Sequence, residues 1–346
     1  MLKTEIVLDI GSRKTKIAVC GKNTLFMFGR RTNSEVYVEE SCVAAGRGSH
    51  NEQGKILAGN AAMGMRAECV YPVHDGCPAN SRLLAVLLRR IIAEHTGKHS
   101  TSGIELHIAV SRALGALKLR NLERTVLLAG IKGFHFHDSA LMAAKGAGIN
   151  VSKEQASMLV NIGAETVSVA VVANGGLLWE SLVSGGGRSV NKGIINLLRR
   201  KHDLIIGERM AEQIKLSFGS SDYIIDGRDI HTGMPRTIGI NDLEFVSVVN
   251  DAVKEAVEVI TDAVKALQPD AAADIADSGI VLIGGGSKLY GLCSGIAQYT
   301  GLNVVTAENA ETAVIEGLQQ HIAGRGTQAD SWYEGYASLE IEADYA

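Results

Sequence analysis

One pattern occurs twice in this chain. Val7-Leu8-Asp9-Ile10-Gly11 leads through Ser12-Arg13-Lys14-Thr15 into Lys16-Ile17-Ala18-Val19. Leu159-Val160-Asn161-Ile162-Gly163 leads through Ala164-Glu165-Thr166-Val167 into Ser168-Val169-Ala170-Val171. Each copy is an apolar strand, a tight turn that starts at glycine and a second apolar strand, which predicts a β-hairpin. Glycine at such a tip lets backbone N–H groups approach an anion closely, and a neighbouring hydroxyl adds a donor. Two similar hairpins facing each other across a cleft would clamp the phosphates of one nucleotide.

A chain of 346 residues suits two domains of ordinary size. With 46% hydrophobic and 21% charged residues it has a globular composition, which excludes a disordered chain. A formal charge of −4 gives no reason to expect nucleic acid as a partner. The five cysteines, Cys20, Cys42, Cys69, Cys77 and Cys293, are scattered and never spaced as metal ligands. A reducing cytoplasm is the expected setting. The start Met1-Leu2-Lys3-Thr4-Glu5 is no signal peptide, and no run is apolar for long enough to span a bilayer. Membrane contact, if any, is expected to be peripheral.

After the first hairpin, short strands are expected at Glu35 to Val43 and Lys55 to Ala58, then a helix with Leu83, Leu84, Leu87, Leu88, Ile91 and Ile92 on one face. Ile104 to Val110 reads as a strand, Leu117 to Ala129 as a helix, and Ala140 to Ala147 as a small-residue helix. The second half repeats this order, with a strand at Leu177 to Val183, a turn at Gly185-Gly186-Gly187 and helices at Val190 to Arg200 and Glu208 to Leu216. Strand alternation follows from Tyr223 to Ile240, then an amphipathic helix from Asn241 to Leu267 with Pro269 beyond it. A buried strand, Gly279 to Ile283, runs into Gly284-Gly285-Gly286. The predicted domains are 1–145 with a small insertion at about 31–75, then 146–326, then an acidic and aromatic tail, 327–346, containing Trp332-Tyr333-Glu334.

Four segments are candidates for chemistry. In the first tip Ser12 and Lys14 are at hand for phosphate, and Asp9 could hold the water shell of Mg²⁺; alone, an ordinary charged hairpin is the simpler account. In the second tip Asn161 stands where Asp9 stands in the first, and Glu165 puts a negative charge where phosphate is expected. Two charges about 4 Å apart repel by roughly 4 kcal/mol at an effective dielectric of ~20, on the order of a thousandfold in affinity. Either Glu165 points away, or a cation screens it, or nucleotide binds poorly. Third, Glu208, Glu212 and Lys215 lie on a helix with Glu212 and Lys215 on one face. A carboxylate there can accept from ribose hydroxyls, although a solvated salt-bridged face is the commoner fate. Fourth, Gly284-Gly285-Gly286-Ser287-Lys288 follows a buried strand and lets a ligand lie against bare backbone. The order of the four says more than any one. His135, His137 and Asp138 suggest a metal site, but no third well-placed ligand appears, and a structural role is favoured.

That order resembles the actin/Hsp70/sugar-kinase superfamily and, more narrowly, the MreB-like bacterial actins. The resemblance rests on Pro72-Val73-His74-Asp75-Gly76; Ile206-Gly207-Glu208 through Ala211-Glu212-Gln213-Ile214-Lys215 and Gly219-Ser220; Gly227-Arg228-Asp229-Ile230 with Gly233-Met234-Pro235-Arg236-Thr237-Ile238; and Asp274-Ile275 before Gly279 and the Gly284 loop. It is collinear from about Thr4 to Gly317. It implies an α/β, two-lobed actin-like fold with duplicated RNase H-like cores around a nucleotide cleft. It further implies ATP or ADP with Mg²⁺, and self-association into protofilaments that organise cell shape and wall synthesis with membrane or wall-synthesis proteins.

By position, the resemblance makes Ser12, Arg13 and Lys14, and Gly163 to Thr166, the phosphate loops; Asp9 and Gly11 are further expected nucleotide contacts, with Asp9 also the candidate for Mg²⁺ through water. Glu208, Glu212 and Lys215 would hold the nucleoside, and Gly284, Gly285, Gly286, Ser287 and Lys288 would back the adenine. Departures from the family are Asn161 for an acidic residue, Ala164 and Glu165 for glycines, and Gly187 for another acidic residue. Ser139 stands where a glutamate would polarise the attacking water. Reduced or absent ATP hydrolysis is therefore expected, at most a weak ATPase. The loop His95 to Gly103 is polar where relatives expose apolar residues, so attachment through a partner is expected rather than direct insertion. The alternatives are a non-polymerising actin-fold regulator and a superfamily ATPase or kinase.

Overall fold

The structure, a computed structural model, describes residues 4–20, 35–45, 56–63, 69–220 and 222–324. The chain divides into two compact units, residues 1–146 with 314–346, and residues 147–313. The tail 327–346 lies outside the described residues, as do parts of the predicted insertion.

In the first unit, β1 (Thr4–Ile10) and β2 (Lys14–Cys20) form the predicted hairpin, and β3 (Val36–Glu40) extends it. Next come β4 (Val43–Ala45), β5 (Ile56–Ala58), the short α1 (Asn60–Met63), β6 (Val73–His74), β7 (Cys77–Pro78) and α2 (Ser81–Thr96). They are followed by β8 (Ile104–Val110), α3 (Gly115–Leu128), β9 (Gly133–Asp138) and α4 (Ser139–Gly146). The main sheet has the order β3-β2-β1-β8-β9, antiparallel across β1–β2–β3 and parallel across β1–β8–β9. α2 starts where the Asn80 side chain accepts from the Leu83 N–H at 3.1 Å and stops at Gly97 in the left-handed region. Its Leu84, Leu87, Leu88, Ile91 and Ile92 face is fully buried with Ile6, Leu8 and Ile17 of the hairpin, which makes the hairpin stem part of the core. The last turn of α2 is tied down by His95, which meets Glu39 at 2.9 Å and stacks on Tyr37, and the loop after it by the Thr101 hydroxyl, which donates to the Gly130 carbonyl at 2.7 Å.

The second unit repeats the plan with β10 (Ser157–Ile162), β11 (Thr166–Ala173), β12 (Gly176–Ser184), α5 (Gly187–His202), β13 (Leu204–Ile205), α6 (Glu208–Leu216), β14 (Asp222–Asp229) and β15 (Pro235–Asn241). It closes with α7 (Val246–Ala266), α8 (Pro269–Ser278), β16 (Ile280–Ile283), α9 (Leu292–Thr300) and β17 (Val304–Thr306). Its main sheet, β12-β11-β10-β16-β17, has the same antiparallel and parallel sense at each step as the first. The sequence repeat is thus a repeat of topology. Val253, Ala256, Val259, Ile260 and Ala263 of α7 cover this sheet. A separate core joins α5 and α6 to the small sheet β13-β14-β15, through Ile194, Leu198, Ala211, Ile214, Ile225 and Phe245.

Two elements differ from the sequence expectations. The helix predicted from Asn241 begins at Val246, because Asn241 accepts from the Leu243 N–H and sets up a 3₁₀ turn, Asp242–Phe245. Pro269 does not merely follow a helix; it opens α8, where its missing N–H costs nothing. A last helix, Ala313–Ala323, which the sequence reading did not name, groups with the first unit from Val314 onward. Gly317 there lies against the Met142 carbonyl, too close for any side chain.

Candidate functional site

The first hairpin tip is closed by the Gly11 N–H on the Lys14 carbonyl at 3.1 Å. Ser41, just past β3, braces it: its hydroxyl donates to the Gly11 carbonyl at 2.6 Å and its N–H to Arg13 at 2.8 Å. Arg13 is turned sideways, with Nε 3.1 Å from Glu40 and the guanidinium 4.9 Å from the Tyr71 ring centre. Burial pushes the Tyr71 hydroxyl up to about 12, and the Arg13 charge pulls the other way. Asp9, the expected metal residue, sits opposite Lys16 in the strand register, and the two side chains meet at 2.7 Å. The carboxylate therefore already has a cation. Ser12 is half-buried and Lys14 exposed at the tip.

The second tip has the same closure, Gly163 N–H to the Thr166 carbonyl at 2.8 Å. It is also clasped by the turn that opens α5. Gly185, Gly187 and Arg188 donate their N–H groups to the carbonyls of Glu165, Gly163 and Ala164, at 2.7, 3.0 and 2.7 Å. Gly186 has a φ of 81° and lies so close that a Cβ there would stand 2.5 Å from the Gly163 carbonyl oxygen. Its N–H donates to Glu255 of α7 at 3.1 Å. Burial raises the Glu255 carboxyl, and the bond from Gly186 works the other way. Of the three fates open to Glu165, screening is the one observed: Arg188 pairs with it, and Glu165 is 8% exposed. The repulsion expected from the sequence is compensated within the turn.

α5 and α6 pack side by side and bring the nucleoside candidates to this turn. Lys215 Nζ lies 2.8 Å from Glu212 and 3.3 Å from the Gly187 carbonyl. Asn191 donates to Glu212 at 2.8 Å and to Glu208 at 3.3 Å. This face is half-buried and interconnected rather than freely solvated. The glycine turn after β16 also arrives here, since Gly284 lies directly against Asn161 and Ile162, and Gly286 against Ile162. Within that turn Ser287 is buried and donates to the Gly284 carbonyl at 2.7 Å, while Lys288 turns outward to Glu311 at 2.9 Å. Gly285 begins the 3₁₀ turn between them. The second unit thus gathers Gly163, Thr166, Glu208, Glu212, Lys215 and the Gly284 turn. The first gathers Asp9, Gly11, Ser12, Arg13 and Lys14.

Ser139 opens α4. Its neighbour Asp138 is fully used: one oxygen accepts from the Ala140 and Leu141 N–H groups at 2.9 and 3.2 Å, and the other meets Arg112 at 2.6 Å. His135 pairs with Glu105 at 2.7 Å, and His137 meets the buried His107 at 3.1 Å. Among the described residues no group of three or more His, Cys, Asp or Glu side chains is arranged to hold a metal ion. Lys16, Arg188, Asn191 and Glu255 did not figure in the sequence expectations. Hairpin register would have found Lys16, opposite Asp9. Glu255 lies 69 residues from Gly186 and left no local signal.

Comparison with known proteins gives one answer throughout. The family described as MreB/Mbl protein matches residues 5–328. The cell shape-determining protein Mbl of Bacillus subtilis (strain 168) is 29% identical over 335 residues, covering 92% of this chain and 95% of Mbl. The crystal structure of MreB 5 of Spiroplasma citri bound to AMPPNP superposes with a TM-score of 0.81 at 24% identity, covering 93% of this chain and 98% of that one. A MamK double helical filament gives 0.75 at 16% identity, covering 93% and 99%. The fold is therefore actin-like, as the order of motifs implies.

Proposed function

The chain belongs to the MreB/Mbl family, and from that premise we propose that it is a filament-forming cytoskeletal protein that binds adenine nucleotide but hydrolyses it slowly or not at all. The observation that carries the second half is the state of the two catalytic positions. Ser139 carries no carboxylate, and the adjacent Asp138 is consumed by the α4 N-terminus and Arg112. Asn161 is a neutral amide seated against Gly284. Phosphoryl transfer depends on a group that orients water and on charge placed at the phosphates, and neither position supplies it.

Nucleotide binding is supported by the AMPPNP in the Spiroplasma citri neighbour and by the half-buried Glu212–Lys215 pair beside the Gly163 and Gly284 turns. In the first unit, Gly11, Ser12 and Lys14 are the phosphate-facing candidates. Asp9 suits a hydrated Mg²⁺, which asks for only one or two carboxylates besides phosphate, in competition with Lys16. Self-association is supported by the filament form of the MamK neighbour. No helix among the described residues is long and apolar enough to cross a membrane. The polar loop that follows α2, tethered through Thr101, favours attachment to the membrane or wall-synthesis machinery through a partner protein.

A non-polymerising regulator is the second reading, favoured by the Glu165–Arg188 pair, which places a carboxylate in a phosphate turn. Titration with a fluorescent ADP or ATP analogue, run beside phosphate release, tests the proposal. Saturable binding with phosphate release at background is the expected outcome. Stoichiometric, repeated release would contradict it.

A further inference from the structure

Two of the cysteines meet outside every segment expected to touch nucleotide. Val43 of β4 pairs with Val70 through two hydrogen bonds, the Val43 N–H to the Val70 carbonyl at 2.9 Å and the Val70 N–H to the Val43 carbonyl at 2.8 Å. Cys42 and Cys69 immediately precede these two residues. Side chains alternate along extended chain, so both cysteines lie on the same face of the pair. That face closes a small core of its own, in which Ala44 and Ala62 are buried and Leu57 and Tyr71 pack against them. The two sulfurs lie within hydrogen-bonding reach of one another.

The thiols are not equivalent. Cys42 is fully buried, and its S–H makes a long contact, 3.8 Å, with the Gly59 carbonyl. Burial pushes this thiol up to about 12, with the neighbouring Cys69 and Glu40 acting the same way and Arg13 against them. Cys69 is half-buried, with its sulfur 3.7 Å from the Ala62 carbonyl and 3.9 Å from Sδ of the exposed Met63. A reachable thiol in front of a buried one is the arrangement of an attacking and a resolving cysteine. A disulfide carries no charge, so the burial that disfavours the Cys42 thiolate does not oppose the oxidised pair.

We propose that Cys42 and Cys69 form a reversible disulfide, with a low-molecular-weight disulfide such as oxidised glutathione as the oxidant. The Cys69 thiolate attacks one glutathione sulfur, which gives a mixed disulfide and releases a glutathione thiolate. The Cys42 thiolate then attacks the Cys69 sulfur, closing the protein disulfide and releasing the second glutathione thiolate. The two protein thiol protons end on the two released glutathiones. The protein pair loses two electrons and the glutathione disulfide gains them. In a reducing compartment such a pair is a dithiol that closes transiently.

The cross-link bears on the first hairpin tip. Arg13 rests on both segments that it joins, with Nε against Glu40 and the guanidinium over Tyr71. Ser41, next to Cys42, holds the carbonyls of Gly11 and Arg13. Tyr71 lies opposite Cys42 in the register set by Val43 and Val70. A covalent bond between these segments keeps one from moving off the other, so the tip opens less often in the oxidised chain.

The test is incubation of the full chain with oxidised glutathione, peptide mapping by mass spectrometry without reductant, and amide exchange of the oxidised and reduced forms. A linked Cys42–Cys69 peptide that dithiothreitol reopens is expected. Glutathione on Cys69 should precede it, because Cys42 is protonated at neutral pH and closes the bond slowly. Cys42→Ala should stop at glutathionylated Cys69, and Cys69→Ser should leave Cys42 unmodified. Exchange of the Gly11 and Ser41 N–H groups should be about tenfold slower or more in the oxidised chain, with β10 and β11 unchanged. Wild-type protein that keeps Cys42 free at saturating oxidised glutathione, or joins either cysteine to Cys20, Cys77 or Cys293 instead, would overturn the disulfide without any variant being needed. A linked pair with unchanged exchange at Gly11 and Ser41 would overturn its hold on the tip. Neither readout requires nucleotide, so the outcome is separate from that of the nucleotide reading.

Discussion

Gly186 and Ser139 are the single residues on which the site's shape and its chemistry turn. At Gly186 the left-handed φ and the approach to Gly163 exclude a side chain. Gly186→Ala is expected to cost about 1–3 kcal/mol of stability, read by chemical denaturation; an unchanged midpoint would mean that the clasp on the second tip is loose. At Ser139 the missing carboxylate is the proposed reason for slow turnover. Ser139→Glu should raise phosphate release by about tenfold or more, within the ~10²–10⁴ range of positioned acid–base groups. No increase would place the block elsewhere, at Asn161 or in the Glu165–Arg188 pair. The sequence shows which residues depart from the family, but not how a departure is answered. Glu165 and Arg188 are 23 positions apart and meet only because the α5 turn clasps the hairpin tip.

Among the elements, the two hairpins were legible because alternation and a tip glycine are local signals. The register follows from them, and with it the Asp9–Lys16 pair. α8 was not legible, because Pro269-Asp270-Ala271-Ala272-Ala273 gives no apolar period and Ile275 is its one fully buried residue. The α7–α5 link through Glu255 has a testable consequence. Burial raises its carboxyl above the ordinary 4.5, so between 4.5 and the raised value the native state holds more protons than the unfolded chain. Stability should therefore fall as pH rises through that window. Glu255→Gln should flatten this part of the stability–pH curve, and an identical wild-type curve would remove Glu255 as its cause. The β14–β15 turn behaves oppositely. Thr232, through its backbone N–H and hydroxyl, and His231 and Arg236 hold the Asp229 carboxyl down to about 2. Its contribution is full above the ordinary 3.8 and lost as pH falls through about 2. Asp229→Ala should speed amide exchange in this hairpin at neutral pH and leave exchange in β10 and β11 unchanged.

For the whole molecule, duplication is the strongest statement the chain makes, and it is readable from the residues alone. Two sheets with the same order and sense grow from two copies of one hairpin. The grouping of the last helix with the first unit was not readable, because a close approach such as that of Gly317 to the Met142 carbonyl leaves no local signal in the sequence. Family membership brings filament formation and nucleotide into view together, whereas the proposed function separates binding from hydrolysis. Sedimentation of the purified full chain with Mg-ATP, with Mg-AMPPNP and without nucleotide tests that separation most directly, with electron microscopy of each pellet and phosphate counted in each supernatant. Filaments should pellet equally with ATP and AMPPNP, with phosphate at background. Filaments that form with ATP and release phosphate stoichiometrically, or no polymer under any of the three conditions, would contradict it.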